Sequence, residues 1–429
     1  MTLASPLEAF PTDTTPDTPP QKPAETAPEK TPEKTYVVKG SAAYRRISLA
    51  LFLAGFSTFS LLYAIQPLLP SLVQHYGVSP AESSLALSLT TGSLAVAIML
   101  AGAFSESFGR RGMMFWSMLG AALCHIGAAL SPDWHLLLAL RAAEGFILGG
   151  VPAVAMAYLA EEIDPRCLGT AMGLYVGGVA FGGMAGRVGV GLLLEICSWR
   201  TALTVLGGLD LIAAIGFALL LPPSRHFIRR KGMSFADHGR TWLGHLATPG
   251  LPLVFLCGFL ALGSFVATFN YLTFRLSDDP FGLSPGAISA IFLVYISGVF
   301  ASPLAGVLAD RYGRMPAQLS GVAVMAAGTL MTLSSSLVMI VLGLVGVTGG
   351  FFIIHAVASG WVGRLARGSK GHASSLYLLA YYAGSSSMGS GGGWVWSLGG
   401  WPAIVGLVSA LLGLTLIATL RIGALAEGA

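Results

Sequence analysis

A short string occurs twice in this chain, 204 positions apart, each time where a long apolar run ends. One copy holds Gly102, Glu106, Gly109, Arg110 and Arg111; the other holds Gly306, Asp310, Arg311, Gly313 and Arg314. Each places a glycine, a carboxylate, a tight-turn glycine and arginine between hydrophobic segments. A chain that repeats such a turn between apolar runs is built from two related halves in a membrane.

Apolar stretches near 20 residues, each enough to cross about 30 Å of hydrocarbon, recur along the sequence. Twelve are legible, at roughly 47–70, 84–104, 113–131, 136–159, 168–195, 200–221, 250–273, 286–308, 315–334, 337–361, 372–397 and 401–421. They are numbered here as spans 1 to 12. The chain is 54% hydrophobic and 10% charged, with a mean hydropathy of +0.73 that few soluble domains reach. In lipid each segment must satisfy its own backbone polar groups, so the spans are expected to be helices. The period-two alternation of a membrane β-barrel is absent. The expected fold class is an all-α membrane protein, with twelve transmembrane helices in two pseudosymmetric six-helix bundles.

Basic residues set the expected orientation. With the N-terminus in the cytoplasm and the spans alternating, Arg141 and Arg187 fall inside spans, and Arg200 and Arg275 at outer ends. The other 20 of the 24 Lys and Arg are then cytoplasmic, as the positive-inside rule requires. Both termini are expected on that side of a bacterial inner membrane. The net charge of +4 thus reports orientation in a lipid bilayer, and no nucleic-acid partner is expected.

Residues 1–40 hold eight of the 23 prolines and little apolar periodicity, so a disordered cytoplasmic tail is expected over 1–45. The first apolar run is too long for the core of a secretory signal. The bundles are expected at 46–222 and 249–422, joined by a basic, proline-containing loop over 223–248 and followed by a short cytoplasmic tail over 423–429. Cys124, Cys167, Cys197 and Cys257 have no metal-like spacing, and no metal site, zinc or structural disulfide is expected.

Other features recur at nearly the same offset. Gly77, Ser79 and Pro80 before span 2 match Gly282, Ser284 and Pro285 before span 8, where the Ser-Pro pair reads as a helix start. Trp199 matches Trp401, and Tyr175 matches Tyr377. With the repeated turn, these residues resemble the major facilitator superfamily over everything after the tail. Within it, the chain resembles the YnfM branch, inner-membrane proteins associated with acriflavine sensitivity. The residues carrying that resemblance are Leu61, Tyr63, Gln66 and Pro67 in span 1, Gly173, Tyr175, Gly182, Gly183, Gly186 and Arg187 in span 5, and Ala373 to Tyr377 in span 11.

In the fold that this resemblance implies, Glu106 lies close to the start of span 11, near Gly371 and His372. A carboxylate facing a helix N-terminus gains about 0.3–1 kcal/mol, and the contact exists only while the cytoplasmic side is closed. The turn then acts as a latch; the alternative is a positively charged topogenic loop with no gating role. Gly102 is expected to admit a neighbouring helix, and Gly109 to adopt a conformation that side chains disfavour. Glu106 stands where the family usually has Asp, and Ser107 where it often has a basic residue.

Gly178, Gly182 and Gly186 form a four-residue stripe for close helix contact along span 5. Antiporters of the superfamily often have Gly-Pro here, whereas this chain has Val179 after Gly178, which weakens any case for proton antiport from that motif alone. Span 11 is richer still in glycine, including Gly384, Gly389 and Gly393. A broken segment lining a cavity explains them, and so does close packing.

Charges inside a bilayer each need a reason. Arg141 and Glu144 share a face of span 4, three residues apart. They resemble the superfamily's arginine motif implicated in proton-coupled efflux, and their second-half counterpart, near Val345 and Gly349, is uncharged. A self-neutralising pair that fixes packing is the structural alternative. Asp210 in span 6 is read as a proton carrier or a local polar cap, and Arg187 as snorkelling to the outer interface. The implied cavity helices, spans 1, 4, 7 and 10, supply a ligand shortlist of Tyr63, Gln66, Arg141, Asn270, Tyr271 and His355, with Tyr381 and Tyr382 of span 11 as aromatic walls.

No nucleotide-binding loop is legible, and no nucleophile or metal-ligand cluster marks an enzyme. No cofactor is expected; the energy comes from an ion gradient, the proton gradient first, or from the substrate's own gradient. The expected activity is proton-coupled export of a small molecule by rocking of the halves, with Glu144 or Asp210 exchanging protons and Arg141 lowering the carboxylate's affinity for them. Uptake or facilitated diffusion of a sugar or organic anion remains open, as does a sensor or scaffold without flux. Members of the superfamily mostly work as single chains.

Overall fold

The computed structural model describes residues 36–104, 109–225 and 234–427. Among these, span 1 is Ala42–Tyr76, span 3 Arg110–Leu130, span 4 Trp134–Glu162, span 5 Pro165–Leu193 and span 6 Trp199–Leu220. Span 7 is Leu251–Ser277, span 8 Pro285–Tyr312 and span 10 Leu337–Leu365. Span 2 is Pro80–Phe104 and span 9 Arg314–Met331. The last helix, Lys370–Glu427, leaves helical geometry at Gly399 and Gly400, where Gly400 has φ 58°; this break separates span 11 from span 12.

Local chemistry starts most of these helices. The side chains of Ser41, Asp133, Ser198 and Ser284 each accept a hydrogen bond from a first-turn amide. Ser79 and Glu82 cap each other reciprocally. Gly77 and Gly282 both have positive φ, 67° and 52°, so the matched Gly-x-Ser-Pro strings fold alike.

Three boundaries differ from expectation. Residues 1–35 lie outside the described residues, but Val37 pairs with the end of span 4, donating to the Glu162 carbonyl and accepting from the Asp164 amide. The segment from Tyr36 onward is therefore tied down, and helix begins at Ala42. Within the expected linker loop, Phe235–Leu246 is helical, capped by Ser234. Its Trp242 indole donates to Ser375 and its His238 ring bonds His372, docking it on the start of span 11. Span 12 continues to Glu427, past the expected end at 422.

The even number of spans puts the described ends on one face, here the terminal face; the opposite one is the far face. One buried core joins both halves toward the far face, mixing Leu61, Leu69 and Trp199 with Phe269, Phe292 and Trp401. Toward the terminal face the core divides. One part is drawn from the first half, with Tyr44, Met114, Tyr158 and Phe217. The other belongs to the second half and the linker helix, with Trp242, Phe255, Trp361 and Ile422, touched from the first half by Met99. The halves are packed together at one end and separated at the other.

Candidate functional site

A cavity of about 520 Å³ occupies the gap. Spans 1, 2, 4 and 5 wall it on one side and spans 7, 8, 10 and 11 on the other. Met156, Ala356 and Ser359 line it toward the terminal face, and Arg187 and Tyr295 at its deep end. A wider hollow of about 710 Å³ lies on the flank of spans 2, 3 and 4, where Trp116 is 67% exposed. It is apolar and outside the gap between the halves, so the chemistry belongs to the central cavity.

Two helix breaks build the deep end. Pro67 lacks an amide hydrogen, and span 1 turns through a 3-10 segment at Gln66–Leu68. Span 8 has a 3-10 segment at Phe292–Tyr295. Irregular backbone at membrane depth is tolerated where it is buried in protein or lines a cavity. Arg187 lies between the two breaks, 2% exposed, with its guanidinium carbon 4.1 Å from the centre of the Tyr63 ring and 4.7 Å from that of Tyr295. Its Nε donates to Gln66 Oε1 at 2.6 Å and its Nη1 to the Gly183 carbonyl. The arginine read as snorkelling outward therefore turns inward, because Gln66 and the two rings offer it acceptors and π faces that lipid lacks.

Of the ligand shortlist, Tyr63, His355, Tyr381 and Tyr382 line the cavity. Gln66, Asn270, Tyr271 and Arg141 are buried behind its wall. Gln66 Nε2 donates to Asn270 Oδ1 at 2.7 Å, joining the halves. The Tyr271 hydroxyl lies 3.2 Å from that of Ser84 and donates to the Gly389 carbonyl. Ser386 donates to the Ser88 carbonyl, and the Gly286 amide to Glu195 Oε1 at 2.7 Å. Among the described residues, these bonds between the halves all lie toward the far face. The cavity thus opens to the terminal face and is shut on the other.

Behind span 1 sits a buried charged cluster. Arg141 and Glu144 are both 0% exposed and paired at 2.7 Å. His125 Nδ1 lies 3.1 Å from the other Glu144 oxygen, while its Nε2 has no partner. Arg141 also donates to the carbonyls of Leu61, Leu62 and Ala86. The first two are at the turn of span 1, where regular helix bonding ends. Asp210 is separate: it is buried and accepts from the Ser60 hydroxyl at 3.0 Å. His125, Tyr295 and Glu195 were missed in the sequence. No spacing links His125 to span 4, and the importance of the other two depends on which half they face.

The glycine stripe touches backbone. A Cβ at Gly178, Gly182 or Gly186 would meet the carbonyl oxygens of Phe52, Phe56 and Ser60, so span 5 lies directly on span 1. In the repeated turn, Glu106 lies outside the described residues, and Gly102 is within span 2. Gly109 has φ −61°, an ordinary value, so the expected special conformation is absent there; Gly313, at φ 89°, has it. Arg110 pairs with Glu161, Arg111 donates to the Ala218 carbonyl and Arg314 to the Gly360 carbonyl, each within its own half. Gly306, Asp310 and Arg311 are exposed.

Residues 48–295 match the family model described as Major Facilitator Superfamily. The chain is 44% identical over 378 residues to the uncharacterized MFS-type transporter YybF of Bacillus subtilis, covering 88% of this chain and 93% of that one. It is 40% identical over 391 residues to the inner membrane transport protein YnfM of Escherichia coli, covering 90% and 93%. Its fold is similar to a bacterial homolog of the human lysosomal transporter Spinster, solved in an inward-facing, occupied conformation. That likeness has a TM-score of 0.70 at 14% identity, covers 90% of this chain and 98% of the other, and concerns the fold alone.

Proposed function

The chain belongs to the major facilitator superfamily, a family of membrane transporters, and from that premise we propose a proton-coupled exporter of small molecules. One cavity is exposed alternately to the two faces, the terminal face being cytoplasmic by its basic residues. The open mouth then loads from the cytoplasm, and export follows when the far-side bonds part and the terminal side closes. The repeated turns, with Glu106, form the latch of that second state.

One observation carries the coupling. Glu144, itself bonded by His125, holds Arg141; Arg141 holds the Leu61 and Leu62 carbonyls at the turn of span 1, and Gln66 follows within that turn. Gln66 in turn contacts both the cavity arginine and the far-side closure. Adding a proton to Glu144 or His125 weakens the hold on Arg141, which releases the turn and with it both contacts of Gln66. Asp210 is a second candidate proton carrier, set against span 1 through Ser60.

Everted vesicles test this. An exported substrate should partly dissipate an imposed pH gradient in the wild type and not in Glu144→Gln. Proton movement in the same direction as the substrate would make the protein a symporter and end the export reading.

A further inference from the structure

The cavity has one formal charge, and it is positive. Among its described lining residues Arg187 is the charged side chain, and no Asp or Glu faces the space. The two nearby buried carboxylates are committed elsewhere, Glu144 to Arg141 and Asp210 to Ser60. Arg187 has amide oxygens and aromatic faces around it but no carboxylate partner among the described residues. A buried cation without a counter-ion is costly at membrane depth, and such residues mark substrate paths.

The acceptors beside Arg187, Gln66 Oε1 and the Gly183 carbonyl, are already engaged by it, and a nearby hydroxyl can donate as well. The Tyr295 hydroxyl is buried and has no hydrogen-bond partner. It belongs to the same 3-10 turn that puts its ring 4.7 Å from the guanidinium. Toward the mouth the walls are aromatic: Phe265 and Phe351 stack at 4.1 Å, and His355 and Tyr381 lie 4.6 Å apart. A cavity of this size holds a drug-sized molecule, with a donor-rich cationic end and an apolar remainder. A lipophilic cation meets repulsion at the deep end, and the largely apolar walls leave most of a sugar's hydroxyls without partners.

We propose that the substrate class is an amphipathic organic monoanion, its carboxylate or sulfonate on Arg187 and the Tyr295 hydroxyl and its apolar body against the wall of Phe265, Phe351 and Tyr381. This deepens the transport reading and rests on the same cavity. Three probes of similar size separate the possibilities: naphthoate, naphthamide and naphthylmethylammonium, with binding measured to purified full-length protein in nanodiscs at neutral pH. Naphthoate should bind about tenfold or more tightly than the amide, and the ammonium least. Arg187→Gln should erase the preference, Arg187→Lys should keep part of it, and Tyr295→Phe should weaken naphthoate alone.

Equal or better binding of the amide or ammonium overturns the proposal, as does absence of naphthoate binding. So does unchanged naphthoate binding in monodisperse Arg187→Gln. If that variant fails to fold, the wild-type order of the three probes and Tyr295→Phe still decide. Naphthoate that binds but never crosses the membrane in proteoliposomes defeats the transport reading and leaves this one standing. Flux of a cationic dye without naphthoate binding does the reverse.

Discussion

Gln66 and Asn270, hydrogen-bonded at 2.7 Å, are 204 residues apart, the same offset that separates the repeated turns. One lies in span 1 and the other in span 7, the first spans of the two halves. Their bond is one of the contacts that close the far face, so it must part when that face opens. The two spans differ there: span 7 runs unbroken through Asn270, while span 1 turns at Gln66. The contact therefore has one rigid side and one that can change shape.

Removing this bond should shift the balance between closed and open far faces. A hydrogen bond contributes about 1 kcal/mol net, so Gln66→Ala or Asn270→Ala should raise the far-open population roughly fivefold. The double variant should add little to Gln66→Ala, which removes this bond and the contact to Arg187 together. Spin-label distances between the halves, measured at the far face, would check it. Additive shifts would show that the two side chains act separately.

The charged cluster behind span 1 should behave as a unit. Arg141→Met alone leaves Glu144 buried without its arginine, and breaking such a pair costs about 3–5 kcal/mol. Replacing both residues with apolar ones of similar size should cost less than either single change. Thermal unfolding in detergent gives the comparison. The double variant should be stable and yet uncoupled, with substrate flux that no longer responds to a pH gradient.

Sequence periodicity anticipated the spans and their starts because those features are local. A proline at the first turn, a serine cap and an apolar run act within a few residues of one another. Arg187 shows where that reasoning stops. Whether its side chain faces lipid or cavity depends on the rotation of span 5, which Gly178, Gly182 and Gly186 fix by pressing on span 1. His125 joins Glu144 only because spans 3 and 4 pack at that level. The linker helix was hidden because its apolar face is completed by span 11, through Trp242, rather than by its own neighbours in sequence.

That glycine stripe gives a steric prediction. Gly182→Ala sets a methyl against the Phe56 carbonyl, a backbone atom that cannot step aside. Overpacking of this kind costs about 1–3 kcal/mol, and it should also displace the span that carries Arg187. At Gly173 of the same span a Cβ meets nothing within 4 Å, so Gly173→Ala should be neutral or stabilising by up to about 1 kcal/mol. Melting temperatures of the pair decide whether contact or propensity governs span 5.

The far-face bond of Glu195 should make closure depend on pH. The Ser284 hydroxyl and the Gly286 amide hydrogen-bond its carboxylate and hold its pKa below the ordinary glutamate value. A carboxylate whose pKa is lowered in the closed state stabilises that state fully above its ordinary pKa. The contribution is lost as pH falls through the lowered value. Acidifying the far side should therefore expose the start of span 8, read as faster labelling of a cysteine placed at Leu283 in a cysteine-free background. Glu195→Gln should label fast at every pH. A pH response that survives in Glu195→Gln would assign it to another group.

Export of an anion against entry of a proton has an electrical consequence. Each cycle moves two positive charges inward, one as the entering proton and one as the leaving anion. At about 2.3 kcal/mol per charge per 100 mV, roughly 4.6 kcal/mol per cycle is available at that potential. Solid-supported membrane currents, set against radiolabelled naphthoate flux, should give two charges per molecule in the wild type. In Glu144→Gln the proton step is gone, and the ratio should fall to one, the anion moving alone. A wild-type ratio of zero would mean that proton and anion travel together, which the exporter cycle forbids.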